Sequence, residues 1–182
     1  MFSRHNSERL VGCQAKARRQ ARYWCSKALI VFAAMACTAV RLSALEPFAL
    51  PNFQLIATDG QTIKSSDLPS SGHWLLVYVQ PANHFCDALL RAFSQSANNP
   101  NMAKVIIVVQ GNTDDVRAMQ KLYPYLGQSS WYSDSTHNAF AQLKLGGIPV
   151  TVGIDQRTVV WVNNGVLPNS NVQKTILISW IK

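Results

Sequence analysis

HWLLVYVQPANHFCDALLRAF, residues 73–93, is the stretch whose reading decides the fold. From Trp74 to Val79 it is an unbroken run of leucine, valine and aromatic residues, the composition of a strand covered on both faces, as in a parallel sheet. Pro81 stops the run, having no N–H to give to a sheet ladder. Asn83 is a good helix N-cap, because its side-chain oxygen can accept from the N–H groups two and three residues on. Phe85, Leu89, Leu90 and Phe93 then recur at helical spacing and supply one apolar stripe to lay against the sheet. Cys86 falls at about the third helical position, so any thiol chemistry sits at the junction of strand and helix.

On the N-terminal side, Glu46 to Pro51 reads as a proline-bearing lead-in and Asn52 to Ala57 as a strand, with Phe53, Leu55 and Ala57 alternating against polar neighbours. Asp59-Gly60 is a turn dipeptide, and Gln61 to Lys64 returns as the second arm of a hairpin. On the C-terminal side, Val105 to Val109 is a second continuous apolar strand. Thr113 or Asp114 caps the next helix, whose face is Val116, Met119, Gln120 and Tyr123, and Pro124 ends it. Trp131-Tyr132 suits a short strand, and Ser135 or Thr136 opens a helix through Phe140 and Leu143 that Gly146-Gly147 terminates. Val152 to Ile154 and Thr158 to Val162 flank the turn Asp155-Gln156-Arg157 as an antiparallel pair. A last helix over Asn169 to Ile181 carries Val172, Ile176 and Trp180 at four-residue steps.

A strand, a short loop and a helix opening on a cysteine resemble the active-site segment of the thioredoxin superfamily, particularly its exported redoxin branch of thiol-disulfide oxidoreductases. That family carries C-x-x-C at this place. Asn83-His84-Phe85-Cys86 occupies the four positions, so the second cysteine is present while the first, normally the attacking one, is Asn83. Pro51, Phe53, Leu55 and Asp59-Gly60 are similar to the opening hairpin of redoxin-type proteins. Gly147-Ile148-Pro149 resembles the superfamily's second landmark, a proline that is cis in the family and packs beside the active-site cysteines. The resemblance therefore implies a cis Ile148–Pro149 bond and a partner groove formed by Asn83, His84, Phe85, Ile148 and Pro149, with Cys86 as the catalytic candidate. The family's buried acid, six residues before its first cysteine, falls at Val77, so no proton acceptor is expected beneath Cys86. The fold class expected is α/β, thioredoxin-like, with a central mixed sheet, flanking helices and an N-terminal β-hairpin.

The chain has 182 residues and a net charge of +8, but the charge is uneven. Residues 1–44 hold eight Lys/Arg against one acid, while residues 45–182 hold nine against eight. A nucleic-acid surface needs its basic patch in the folded part, so that class of partner is excluded. The leader instead places Arg4, Arg9, Lys16, Arg18, Arg19, Arg22 and Lys27 before the apolar run Ala28 to Val40, the pattern of an export signal. Thirteen residues fall short of the about 20 that a membrane span needs. The chain is thus divided into an export signal or N-terminal membrane anchor, 1–44, and a thioredoxin-like domain, 45–182. The location expected is exported and periplasmic, with attachment to the inner membrane through residues 28–40 if the leader is kept.

Cys13, Cys25 and Cys37 lie in the leader, which leaves Cys86 alone in the domain. Turnover by C-x-x-C needs two thiols, one to attack a disulfide and one to resolve the mixed intermediate. Cys86 has opposing influences on it: a helix N-terminus stabilises thiolate, whereas the inner position of the motif is shielded, which favours the thiol. A small inert core residue and a reactive thiol are both open readings. His84, two residues from Cys86 on a helix, points to a different face and reads as an exposed histidine. His73, His84, His137 and Cys86 lack ligand spacing, so no metal and no cofactor are expected. The peroxidatic motif of peroxiredoxins does not fit, since Phe85 and Cys86 follow Pro81 by four and five residues where that motif has its threonine at four and its cysteine three beyond.

Two functions follow. The first is an exported relative of thiol-disulfide oxidoreductases with reduced or monothiol activity through Cys86. The second is a non-catalytic module of an envelope secretion or conjugation assembly that holds a peptide in the same groove. Either way the partner is a protein or peptide, with or without a mixed disulfide at Cys86, and a membrane is involved only if the leader stays uncleaved.

Overall fold

The computed structural model describes residues 46–94, 98–166, 175 and 179–181. The expected export signal or membrane anchor, residues 1–44, lies outside them, as does most of the expected last helix. Thr175, Ser179 and Trp180 of that helix are described and are helical.

Among the described residues, eight strands form one mixed sheet: β1 (Phe48–Ala49), β2 (Gln54–Ala57), β3 (Thr62–Lys64), β4 (His73–Val79), β5 (Val105–Val109), β6 (Ser130–Ser133), β7 (Val150–Asp155) and β8 (Thr158–Asn164). Their order across the sheet is β1-β8-β7-β4-β5-β6-β2-β3. β4, β5 and β6 are mutually parallel, and the other neighbours pair antiparallel. Among the described residues, three helices with defined bounds cross between or flank the strands: α1 (His84–Ser94), α2 (Thr113–Leu122) and α3 (Asn138–Gln142). The fold class is the α/β one expected, with the hairpin β2–β3 pairing through β2 to β6.

The continuous apolar runs are explained by burial on two faces. Leu75, Val77 and Val79 of β4, with Val105, Ile107 and Val109 of β5, face one core, which holds Cys86, Leu89, Leu90 and Phe93 of α1 and Val116 and Met119 of α2. Trp74, Leu76 and Tyr78, with Ile106 and Val108, face the other, which holds Ala139 and Leu143 from the α3 region and Phe53 and Leu55 from the hairpin. Alternate side chains of one strand thus serve different cores, which a period of two requires. Ile181 is fully buried in the first core and Trp180 packs against it.

Three local readings are corrected. α2 is capped not by Thr113 or Asp114 but by Asn112, whose Oδ1 accepts from Asp114 N–H (2.8 Å) and Asp115 N–H (3.0 Å) while the Asp115 carboxylate accepts from Asn112 N–H (2.9 Å), a reciprocal box. α3 begins three residues later than Ser135, because the buried Asp134 carboxylate, not a serine or threonine hydroxyl, accepts from Asn138 N–H (2.8 Å) and Phe140 N–H (3.1 Å). At the other end of α3 it is Lys144, with φ 53°, that adopts the left-handed conformation after the helix, in place of Gly146 or Gly147. The lead-in also contains a strand, β1, whose two residues pair with β8 at Val159 and Thr158.

Candidate functional site

Asn83-His84-Phe85-Cys86 lies where β4 hands over to α1. Ala82, with φ 57°, turns the chain out of the strand; a left-handed conformation costs a non-glycine residue about 1–2 kcal/mol, so the bend is held by its surroundings. Asn83 then caps α1. Its Oδ1 accepts from Phe85 N–H at 3.0 Å and from Cys86 N–H at 3.4 Å, and its carbonyl receives the first helical bond from Asp87 N–H at 3.0 Å. The two donors held by Oδ1 are the ones that would stabilise a thiolate if position 83 carried sulfur.

Cys86 points inward and is 1% exposed. Its Sγ accepts from Gln80 N–H at 3.3 Å. Burial pushes the thiol above its ordinary range, and the Gln80 N–H offsets this only in part, so near neutral pH the sulfur stays protonated. Val77 is buried in the same core. Among the described residues Cys86 is the one cysteine and is free. His84 faces solvent with its ring stacked at a tilt on Phe85, 3.9 Å between centroids, and Phe85 is 54% exposed.

A cavity of about 370 Å³ opens beside the motif. Gln80 to His84, with Cys86 and Asp87, line one side; Asp115, Ala118, Met119, Leu122 and Tyr123, from α2 and its C-cap, line the other. Leu122 is 72% exposed at this opening. The two helices are tied across it by Asp87, which accepts from the Tyr123 hydroxyl and, at 2.8 Å, from Arg91 Nε. Arg91 and then Tyr123 hold the Asp87 carboxyl below its usual range, while burial and then Asp87 push Tyr123 up to about 12. Sequence reasoning missed this α2 wall. Its signal was the exposed Leu122 next to the buried Met119 and Tyr123, an apolar residue on the outward face of an otherwise polar helix end.

Ile148 and Pro149 do not line that cavity. The Ile148–Pro149 peptide bond is cis, Pro149 is buried, and Ile148 packs against both cores. Asn83, His84 and Cys86 therefore share one opening, Phe85 stands exposed beside it, and Ile148 and Pro149 belong to the turn leading into β7. No group of three or more His, Cys, Asp or Glu residues suited to a metal ion occurs among the described residues.

No protein-family model matches the sequence, and no curated protein matches it. Solved structures do match in fold. A protein assigned as the thiol:disulfide interchange protein DsbE of Chlorobium tepidum superposes with a TM-score of 0.62 at 17% identity, over 77% of this chain and 100% of that one. The chain has a thioredoxin-like fold. The exposed lipoprotein thioredoxin of Streptococcus pneumoniae (TM-score 0.55, 18% identity, 70% of this chain and 98% of that one) shares this thioredoxin-like fold. A secreted disulfide oxidoreductase of Mycobacterium tuberculosis does too (TM-score 0.54, 16% identity, 70% and 95%). Within that thioredoxin-like framework the chemistry open to Asn83 and Cys86 is limited. An amide cannot attack a disulfide, and a single protonated thiol could exchange only if a thiol from outside resolved the product.

Proposed function

We propose that this protein is an exported thioredoxin-fold module that retains a partner-facing surface at the start of α1 and has lost disulfide turnover. The observation that carries the reading is the pairing of a 1% exposed Cys86 with an Asn83 side chain that already holds the helix-end donors. The positive end of α1 stabilises an amide oxygen here where a redox enzyme needs it to stabilise sulfur. What the site offers instead is surface. Phe85 and Leu122 are exposed large apolar side chains, and the cavity between α1 and α2 is lined by Met119, Ala118 and Pro81. Apolar side chains exposed around a concave opening suit an anchor residue of a polypeptide partner. Export is supported by the basic, apolar leader and by the secreted and lipoprotein character of two of the fold neighbours.

A monothiol reading has one observation in its favour, namely that Cys86 lines the cavity and its Sγ receives the Gln80 N–H. In that case Cys86 thiolate attacks a partner disulfide, a mixed disulfide forms, the partner's other sulfur leaves as thiolate, and an external thiol releases Cys86.

Insulin reduction driven by dithiothreitol distinguishes the two. Wild type is expected to match the uncatalysed rate, whereas Asn83→Cys is expected to form an 83–86 disulfide and to turn over. Wild-type turnover above the uncatalysed rate would overturn the binding-module reading in favour of the monothiol one. A folded Asn83→Cys that forms no 83–86 disulfide would remove the kinship to a redox site.

A further inference from the structure

We propose that a second site, for a small amphipathic carboxylic acid, lies between the outer edge of β8 and the end of α3; it is independent of the reading of Cys86. A cavity of about 610 Å³ is present there, larger than the one beside Cys86. Its size falls within the roughly 300–1,000 Å³ range of small-molecule sites. Phe48, Pro51, Leu143 and Val162 supply apolar walls, and the polar groups among the lining residues are Gln142, Lys144 and Asn164. No acid lines it among the described residues, and Lys144 is its one cation there, so the mouth favours an anion over a cation.

Lys144 is held in this position against backbone preference. Its φ of 53° is the conformation in which glycine is least strained, and the chain has glycines two and three residues later, yet a long cationic side chain stands here. Among the described residues Lys144 forms no ion pair. The Asn164 amide nitrogen lies over Gly146, 3.9 Å from where a Cβ on that glycine would stand, and so remains beside the opening. Among the described residues the β8 edge is unpaired here, since β1 pairs only with Val159 and Thr158. Pro47 and Pro51 bracket β1 and lack N–H groups, which disfavours an added strand and leaves a compact ligand as the better occupant. Its apolar body would rest on Phe48, Leu143 and Val162 while its carboxylate meets Lys144.

Calorimetric titration of the full chain with octanoate, octanol and octyltrimethylammonium, all below micelle formation, tests this. Octanoate is expected to bind one per chain with an affinity that falls as salt rises. Octanol should bind about tenfold more weakly, and the cation should give no binding. Lys144→Gln, on an exposed side chain, should weaken octanoate about tenfold and leave octanol unchanged; Val162→Trp should abolish both while Cys86 labelling stays as in wild type. Equal affinity for the three head groups, no octanoate binding, or an unaltered octanoate affinity in Lys144→Gln would overturn the proposal. If Val162→Trp does not fold, the head-group series and Lys144→Gln still decide it.

Discussion

At the scale of single residues, Asp134 ties together two elements on the sheet's second face. Its carboxylate is buried and accepts three hydrogen bonds: from the Tyr78 hydroxyl at 2.8 Å and from the N–H groups of Asn138 and Phe140. β4 is thereby joined to the start of α3. Tyr78→Phe leaves one carboxylate oxygen short of a donor and is expected to cost about 1 kcal/mol in urea unfolding. Tyr78 and Tyr123 both have raised hydroxyl pKa values, in each case by burial first and then by the carboxylate each one donates to. A raised folded-state pKa stabilises the fold below the unfolded value near 10 and loses that contribution as pH rises through the folded one. Unfolding free energy should therefore hold between pH 7 and about 9 and fall between about 10 and 12, with a shallower fall in Tyr78→Phe. A flat profile in wild type would contradict the buried hydroxyl pairing. Asn83→Ala, which removes the α1 cap, should cost about 1 kcal/mol without changing the fold.

At the scale of elements, the β7–β8 pairing seats Trp161 in space that opens because position 153 is glycine. A Cβ on Gly153 would lie 2.1 Å from Trp161 Cε2, so the indole lies flat across a strand position that has no side chain. Trp161 in turn meets Trp180 edge-on at 5.6 Å, and His73 stacks on Trp180 at 4.6 Å. Gly153→Ala should displace the indole and cost about 1–3 kcal/mol, as overpacking does, with a red shift in tryptophan emission reporting the displacement. Unchanged stability and emission would mean that Trp161 has room elsewhere. Elements whose causes are local were legible in the sequence: β4 and β5 from their unbroken apolar runs, α1 from its stripe and Asn83. Elements whose causes are distant were not. α3 starts where it does because Asp134, fixed by Tyr78 from 56 residues away, takes its first donors. β1 is a strand only because β8 offers it an edge, and the α2 wall of the Cys86 opening appears only once α1 and α2 lie side by side.

At the scale of the whole molecule, the two cores described on the faces of one sheet draw on residues 50–181. A chain starting at Leu45 is expected to be soluble and to melt in one cooperative transition. An insoluble or non-cooperative product would move the domain boundary into the leader. The same enclosure closes the first core around Cys86, so this thiol is expected to be shut off in the native state. Reaction of the native full chain with a bulky maleimide, followed in time and mapped by peptide mass spectrometry to separate Cys86 from Cys13, Cys25 and Cys37, measures it directly. Labelling of Cys86 is expected to be at least about 100-fold slower in the native protein than in denaturant, because the thiol reacts only through local opening. Native labelling within about a few-fold of the denatured rate would contradict this enclosure and place a reactive thiol at the surface.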